Sequence, residues 1–107
     1  MAELHPVMNN TKWRELRGAM YAIESATAYR IMRINGYYSD PDAEWFYHFQ
    51  EGGYDDIRYV DIFATDQVHR QQIGSALKKI HLPAEETGDG FRVYGYVLPG
   101  DVVDYLD

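Results

Sequence analysis

The sequence predicts an α+β domain: a mainly antiparallel four-stranded sheet with two helices packed on one face, in the order α-β-β-β-α-β. Three observations predict it. Trp13, Leu16, Met20 and Ile23 recur at spacings of three, four and three, and Ile73, Ala76, Leu77 and Ile80 form a second helical stripe. The stretch Glu44–Ala64 reads as two strand-like runs around a glycine turn. Phe91, Val93 and Val97 alternate with Arg92, Tyr94 and Tyr96, the period of a last strand.

Taken in order, residues 1–8 read as a disordered tail of added or upstream-start residues. They precede one domain over 9–107, since Met8-Asn9-Asn10-Thr11 looks like a natural beginning. Asn10 or Thr11 caps a helix over about 11–25. Thr27–Ile34 is β-branched enough for a strand, and Asn35-Gly36 is a short turn signal. A polar loop over 37–42 leads to the central hairpin, with strands over about 44–50 and 57–64. In the first strand, His48 is placed opposite Trp45, Tyr47 and Phe49. In the second, Val60, Ile62 and Ala64 share one face, while Tyr59, Asp61 and Phe63 share the other. Thr65 caps a second helix over about 66–80. Gly74 inside it costs about 1 kcal/mol against alanine, which a close helix–sheet approach would explain. Residues 84–90 form an acidic loop, 91–98 the last strand, and Val102, Val103, Tyr105 and Leu106 a short C-terminal segment.

Charge narrows the function classes. The 107 residues carry a net charge of −7. Residues 1–39 hold five basic and three acidic side chains, whereas 40–107 hold five basic and fourteen acidic. The window 40–66 has eight acids against Arg58 alone. This disfavours nucleic acid as a partner, because such affinity comes largely from neutralising phosphates. It suits either a solvated acidic rim or a surface that meets a basic protein. No apolar run approaches the roughly 20 residues needed to span a membrane, so no membrane partner is expected. The absence of cysteine excludes disulfides and thiolate metal sites and fits a cytoplasmic location.

The search for chemistry finds no dinucleotide, phosphate-loop, zinc-protease or serine-hydrolase motif. His5, His48, His69 and His81 lack partners at ligand spacing. No metal or cofactor is therefore expected. The ten tyrosines are the compositional oddity. Tyrosine is enriched at interfaces, and it is also an ordinary strand former. The candidate contact set is Tyr37, Tyr38, Asp40, Asp42, Glu44, Tyr54, Asp55, Asp56, Tyr59 and Asp61. Its aromatics would bury apolar area, and its acids would mimic phosphate at a partner's basic groups.

Asn10-Thr11-Lys12-Trp13, the run Glu44–Phe49, Gly52-Gly53-Tyr54 and Phe91–Val97 with Pro99-Gly100 resemble a family of small, uncharacterised bacterial proteins. The resemblance runs from Asn9 to the C-terminus. Small acidic proteins of this kind are similar to the immunity proteins that accompany polymorphic and contact-dependent toxins. The resemblance implies cytoplasmic inhibition of a toxin domain, such as a nuclease or an ADP-ribosyltransferase. The expectation is a non-enzymatic binding protein. The alternatives are a small enzyme or ligand-binding module, using His48 with Glu51 or Asp61, and a structural homodimer.

Overall fold

The computed structural model describes residues 4–45, 47–49 and 53–98. Asn9 caps α1 (Asn10–Ala22), its side chain accepting the Lys12 N–H at 2.8 Å. The cap lies one residue earlier than expected. Asp66 caps α2 (Gln67–Ile80), accepting the His69 N–H at 2.7 Å. Thr65, the expected cap, instead binds the His69 ring: its backbone N–H donates to Nδ1 at 3.0 Å. That acceptor role places the ring proton on Nε2, which donates to the Thr27 hydroxyl at 2.9 Å. The buried His69 thus ties the start of α2 to the chain entering β2 (Ala28–Arg33). At the far end of α2, His81 adopts a left-handed conformation with φ 63°. The Lys12 ammonium donates to the Ile80 carbonyl at 2.6 Å, joining the two helices where a helix C-terminus favours a cation.

The main sheet contains β2, β3 (Ile57–Phe63), β4 (Ala84–Glu86) and β5 (Gly90–Tyr94), in the order β2-β3-β5-β4 with every neighbouring pair antiparallel. The fold is α+β as expected, with a four-stranded antiparallel sheet and two helices. The fourth strand comes from a different place. The predicted strand over 44–50 is a run of turns in its described residues. Glu44 Oε2 accepts the N–H groups of Tyr47 and His48 at 2.7 and 2.8 Å, as a helix cap would. Trp45 and Phe49 are both buried, four residues apart, while Tyr47 and His48 point to solvent. Aromatic composition mimicked a strand there, but the carboxylate cap and a four-residue period won. The missing strand is supplied by β4, inside the predicted acidic loop.

The predicted hairpin around Gly53 is consequently not formed. The reversal occurs at Asn35-Gly36, where Gly36 has φ +92°. Residues 37–42 then run back along the outer edge of β2, bridging Met32 with Tyr38 and Tyr29 with Asp42. The expected tail is also corrected within 4–8: β1 (His5–Pro6) pairs with β6 (Tyr96–Val97) in a second, two-stranded sheet. The predicted C-terminal segment, the Pro99-Gly100 turn, Glu51 and Gly52 lie outside the described residues.

A bulge decides what each sheet face carries. Met32 faces Tyr59 and Arg33 faces Ile57, so Arg58 is the extra residue. Its insertion restores Ile57 to the same face as Val60 and Ile62, and all three are fully buried. Tyr29, Ile31, Phe91 and Val93 complete that face, which packs against Trp13, Leu16 and Met20 of α1 and Ile73 and Leu77 of α2. Gly74 lets α2 come close at this contact: a Cβ there would lie 3.1 Å from the Phe91 ring, tighter than ordinary van der Waals contact.

Candidate functional site

Both helices pack on one sheet face, and strand alternation brings a second set of residues together on the other. Arg30 pairs with Asp61, Asp61 with Arg92, and Arg92 with Glu85, so a row of alternating charge crosses all four strands. The adjacent row is Tyr38, Met32, Tyr59 and Tyr94. The strands lie about 4.8 Å apart, so every side chain in one row is within reach of its neighbours.

Asp61 is the hub. It is only 7% exposed. Its carboxylate accepts from Arg92 Nε at 2.7 Å, from Arg92 Nη2 at 3.2 Å and from the Tyr38 hydroxyl at 2.6 Å. Both guanidinium carbons sit over tyrosine rings, 4.0 Å from the centroid: Arg92 over Tyr59 and Arg30 over Tyr38. Arg30 Nε also donates to the Ser39 carbonyl at 2.7 Å. Tyr94 donates to Glu85 at 2.6 Å and meets the Tyr59 ring edge-on, with centroids 6.2 Å apart.

The electrostatics follow from these contacts. Burial, then the bond to Asp61, pushes the Tyr38 hydroxyl up to about 12. The bond to Asp61 raises Arg92 beyond its already high value, against burial. Burial and the bond to Glu85 raise Tyr94. Tyr38, Arg92 and Tyr94 therefore hold their protons near neutral pH, and Asp61 is satisfied by two of them.

The sequence-predicted contact set does not form one surface. Tyr38, Tyr59 and Asp61 come together on the open face. Tyr54 lies on the core side, stacked on Trp13 at 6.4 Å and packed against Phe49. Tyr37 and Asp40 are exposed on the segment along the β2 edge, and Asp55 and Asp56 are exposed in the turn before β3. The Asp56 carboxylate is paired with Arg33 at 2.7 Å, and the Asp55 carbonyl accepts the Tyr96 hydroxyl. Asp42 and Glu44 belong to the capped turn. With Asp61 held by Arg92 and Asp56 by Arg33, neither is placed to act as a bare phosphate mimic. Arg30, Arg92, Tyr94 and Glu85 were missed. Their signal was present: outward positions of three separate strands carry complementary charges.

His48 has a carboxylate partner other than the two expected. Its Nδ1 lies 2.8 Å from Asp42 Oδ2, on an exposed turn. Burial raises the Asp42 carboxyl, but bonds from the Glu44 N–H and from His48 outweigh it and hold it below the ordinary value. A shallow groove of about 190 Å³ lies elsewhere, lined by Arg70, Gln71, Lys78 and Phe91 among others. Arg70 there serves the fold, donating to the carbonyls of Thr87, Gly88 and Gly90. Among the described residues, no cluster of three or more His, Asp or Glu could hold a metal ion. Among them too, no helix is long and apolar enough to cross a membrane.

No curated protein and no solved structure matches the chain. Residues 1–100 match a family of unknown function, DUF6678, and the chain belongs to that family.

Proposed function

We propose that this chain is a non-enzymatic binding protein that holds a protein partner on the open face of its sheet. The observation that supports this reading is the face itself. Helices cover one side of four strands, while the other carries tyrosines and arginines already locked in position. Tyrosine and arginine dominate interface hot spots, and side chains ordered before binding lose less entropy on contact. The net charge of −7 favours a basic partner. Carried further, the reading is of a bacterial immunity protein, acting in the cytoplasm to neutralise a cationic toxin domain such as a nuclease or an ADP-ribosyltransferase.

The test is co-expression with the polypeptide encoded immediately upstream. Growth should be rescued by the intact chain and lost again with Tyr59→Ala. An upstream product that is harmless, or that the chain does not bind in surface plasmon resonance, removes the immunity reading. A complex of two copies that Tyr59→Ala dissociates would assign the face to a homodimer.

The contact between His48 and Asp42 favours a second reading, an acid–base enzyme. Its exposure on a turn, outside the groove, weighs against it. Retained binding with loss of a measurable turnover in His48→Gln would promote it.

A further inference from the structure

The two arginines of the open face are used differently. Arg92 spends Nε and Nη2 on Asp61. Arg30 spends only Nε, on the Ser39 carbonyl, and its Cζ sits over the Tyr38 ring. Among the described residues, the Nη edge of Arg30 makes no hydrogen bond or ion pair. The nearest carboxylate in register, Asp61, is already occupied by Arg92 and Tyr38. Arg30 therefore presents two parallel donors from a guanidinium whose orientation is already set. A planar fork of this kind matches a carboxylate in two parallel hydrogen bonds, and the fixed orientation lowers the entropy lost in making them.

We propose that Arg30 is the anchor of the open face and takes the carboxylate of an Asp or Glu side chain from a protein partner. The inference rests on the proposed use of this face for binding. The Nη edge of Arg30 attracts an anion, and its negative surroundings decide which anion. Asp61 and Glu85 lie in the same row as Arg30, and the chain as a whole is negative. A phosphate, with more charge to neutralise, meets more repulsion there than a carboxylate with one. The tyrosine rings beside Arg30 give the methylene groups of an acidic side chain an apolar seat. A basic partner is compatible with this. Exposed acids such as Asp40 and Asp55 steer the encounter, and a single acidic residue on the partner fixes its register against Arg30.

The test uses a phage-displayed random peptide library panned on the intact, immobilised chain. Selected peptides are then measured against Arg30→Met, Arg30→Lys and Tyr59→Ala, each shown by circular dichroism and thermal melting to keep the fold. The expected result is enrichment of Asp- or Glu-bearing peptides whose affinity falls roughly tenfold or more in Arg30→Met. Arg30→Lys should fail to restore it, since an ammonium cannot fork. Acidic peptides that bind Arg30→Met as tightly as the unaltered chain overturn the proposal, as does a library that enriches no acidic peptide. Peptides that depend on Tyr59 but ignore Arg30 overturn the anchor and leave the open-face reading standing. Peptides that ignore both remove both. Competition by inorganic phosphate where acetate has no effect would assign Arg30 to a phosphate, and also overturns it.

Discussion

The two faces of the main sheet are made by the same strands and held by different physics. On the helix side, Tyr29, Ile31, Ile57, Val60, Ile62, Phe91 and Val93 are fixed by close packing, and each is 4% exposed or less. On the other side, Arg30, Asp61, Arg92, Tyr38, Tyr59 and Tyr94 are fixed by directional bonds to one another. Packing is insensitive to pH and salt but punishes lost volume. A polar lattice tolerates lost volume but depends on every partner being present. The first arrangement holds the fold, and the second holds a surface in a defined shape without burying it.

The sharpest test of that contrast is deletion on the packed side. Leu77→Ala should cost about 2–5 kcal/mol, because Leu77 is fully buried between α2 and the sheet. Denaturant unfolding gives the value, and a loss under about 1 kcal/mol would mean the packed face is softer than described.

Next in size is Arg92→Leu, which leaves the Asp61 carboxylate with Tyr38 but without its cation. About 1–3 kcal/mol should be lost. The double variant Arg92→Leu/Asp61→Leu should recover much of it, since no charge is then stranded. Strictly additive losses would show that the two residues do not act as a pair.

Tyr38→Phe removes one bond to Asp61 and should cost about 0.5–1.5 kcal/mol. It also carries a pH signature. The folded Tyr38 hydroxyl titrates near 12 against an ordinary value of 10.0. Its contribution is complete below the ordinary value. As pH rises from there, the unfolded chain ionises first, so stability declines through the folded value. Unfolding midpoints of the unaltered chain should show this alkaline decline, and Tyr38→Phe should flatten it.

The smallest effect is expected outside both faces. Asp40→Asn with Asp55→Asn should leave the unfolding midpoint unchanged, because exposed charges contribute little. Any effect belongs to binding, as slower association with a flatter salt dependence against a basic partner.

Legibility in the sequence follows the same division. The helices were readable because Trp13, Leu16 and Met20, and Ile73 and Leu77, repeat a packing period. The assignment of Tyr59 and Asp61 to one face of β3 and of Val60 and Ile62 to the other also followed from alternation. What alternation could not reveal was the extra residue at Arg58, which alone brings Ile57 into the core. The stretch Glu44–Phe49 misled because its aromatic side chains favour strands. Its conformation was instead decided by one carboxylate bonding two N–H groups. The open face was half legible. Tyr38, Tyr59 and Asp61 stood out for type, but Arg30 and Arg92 acquire meaning only once strand register sets them on either side of Asp61.

The segment over 37–42 has a consequence for behaviour at high concentration. A sheet edge is a template on which other chains can add strands. Along β2, backbone bonds between Tyr29 and Asp42 and from Ser39 to the Ile31 carbonyl occupy that template from within the same molecule. At the opposite edge, β4 is three residues long and carries Glu85 and Glu86. Short length and like charge both discourage growth of a fibril from that side. Loosening the Asn35-Gly36 turn would uncover β2, and with it a route to aggregation that the native chain closes.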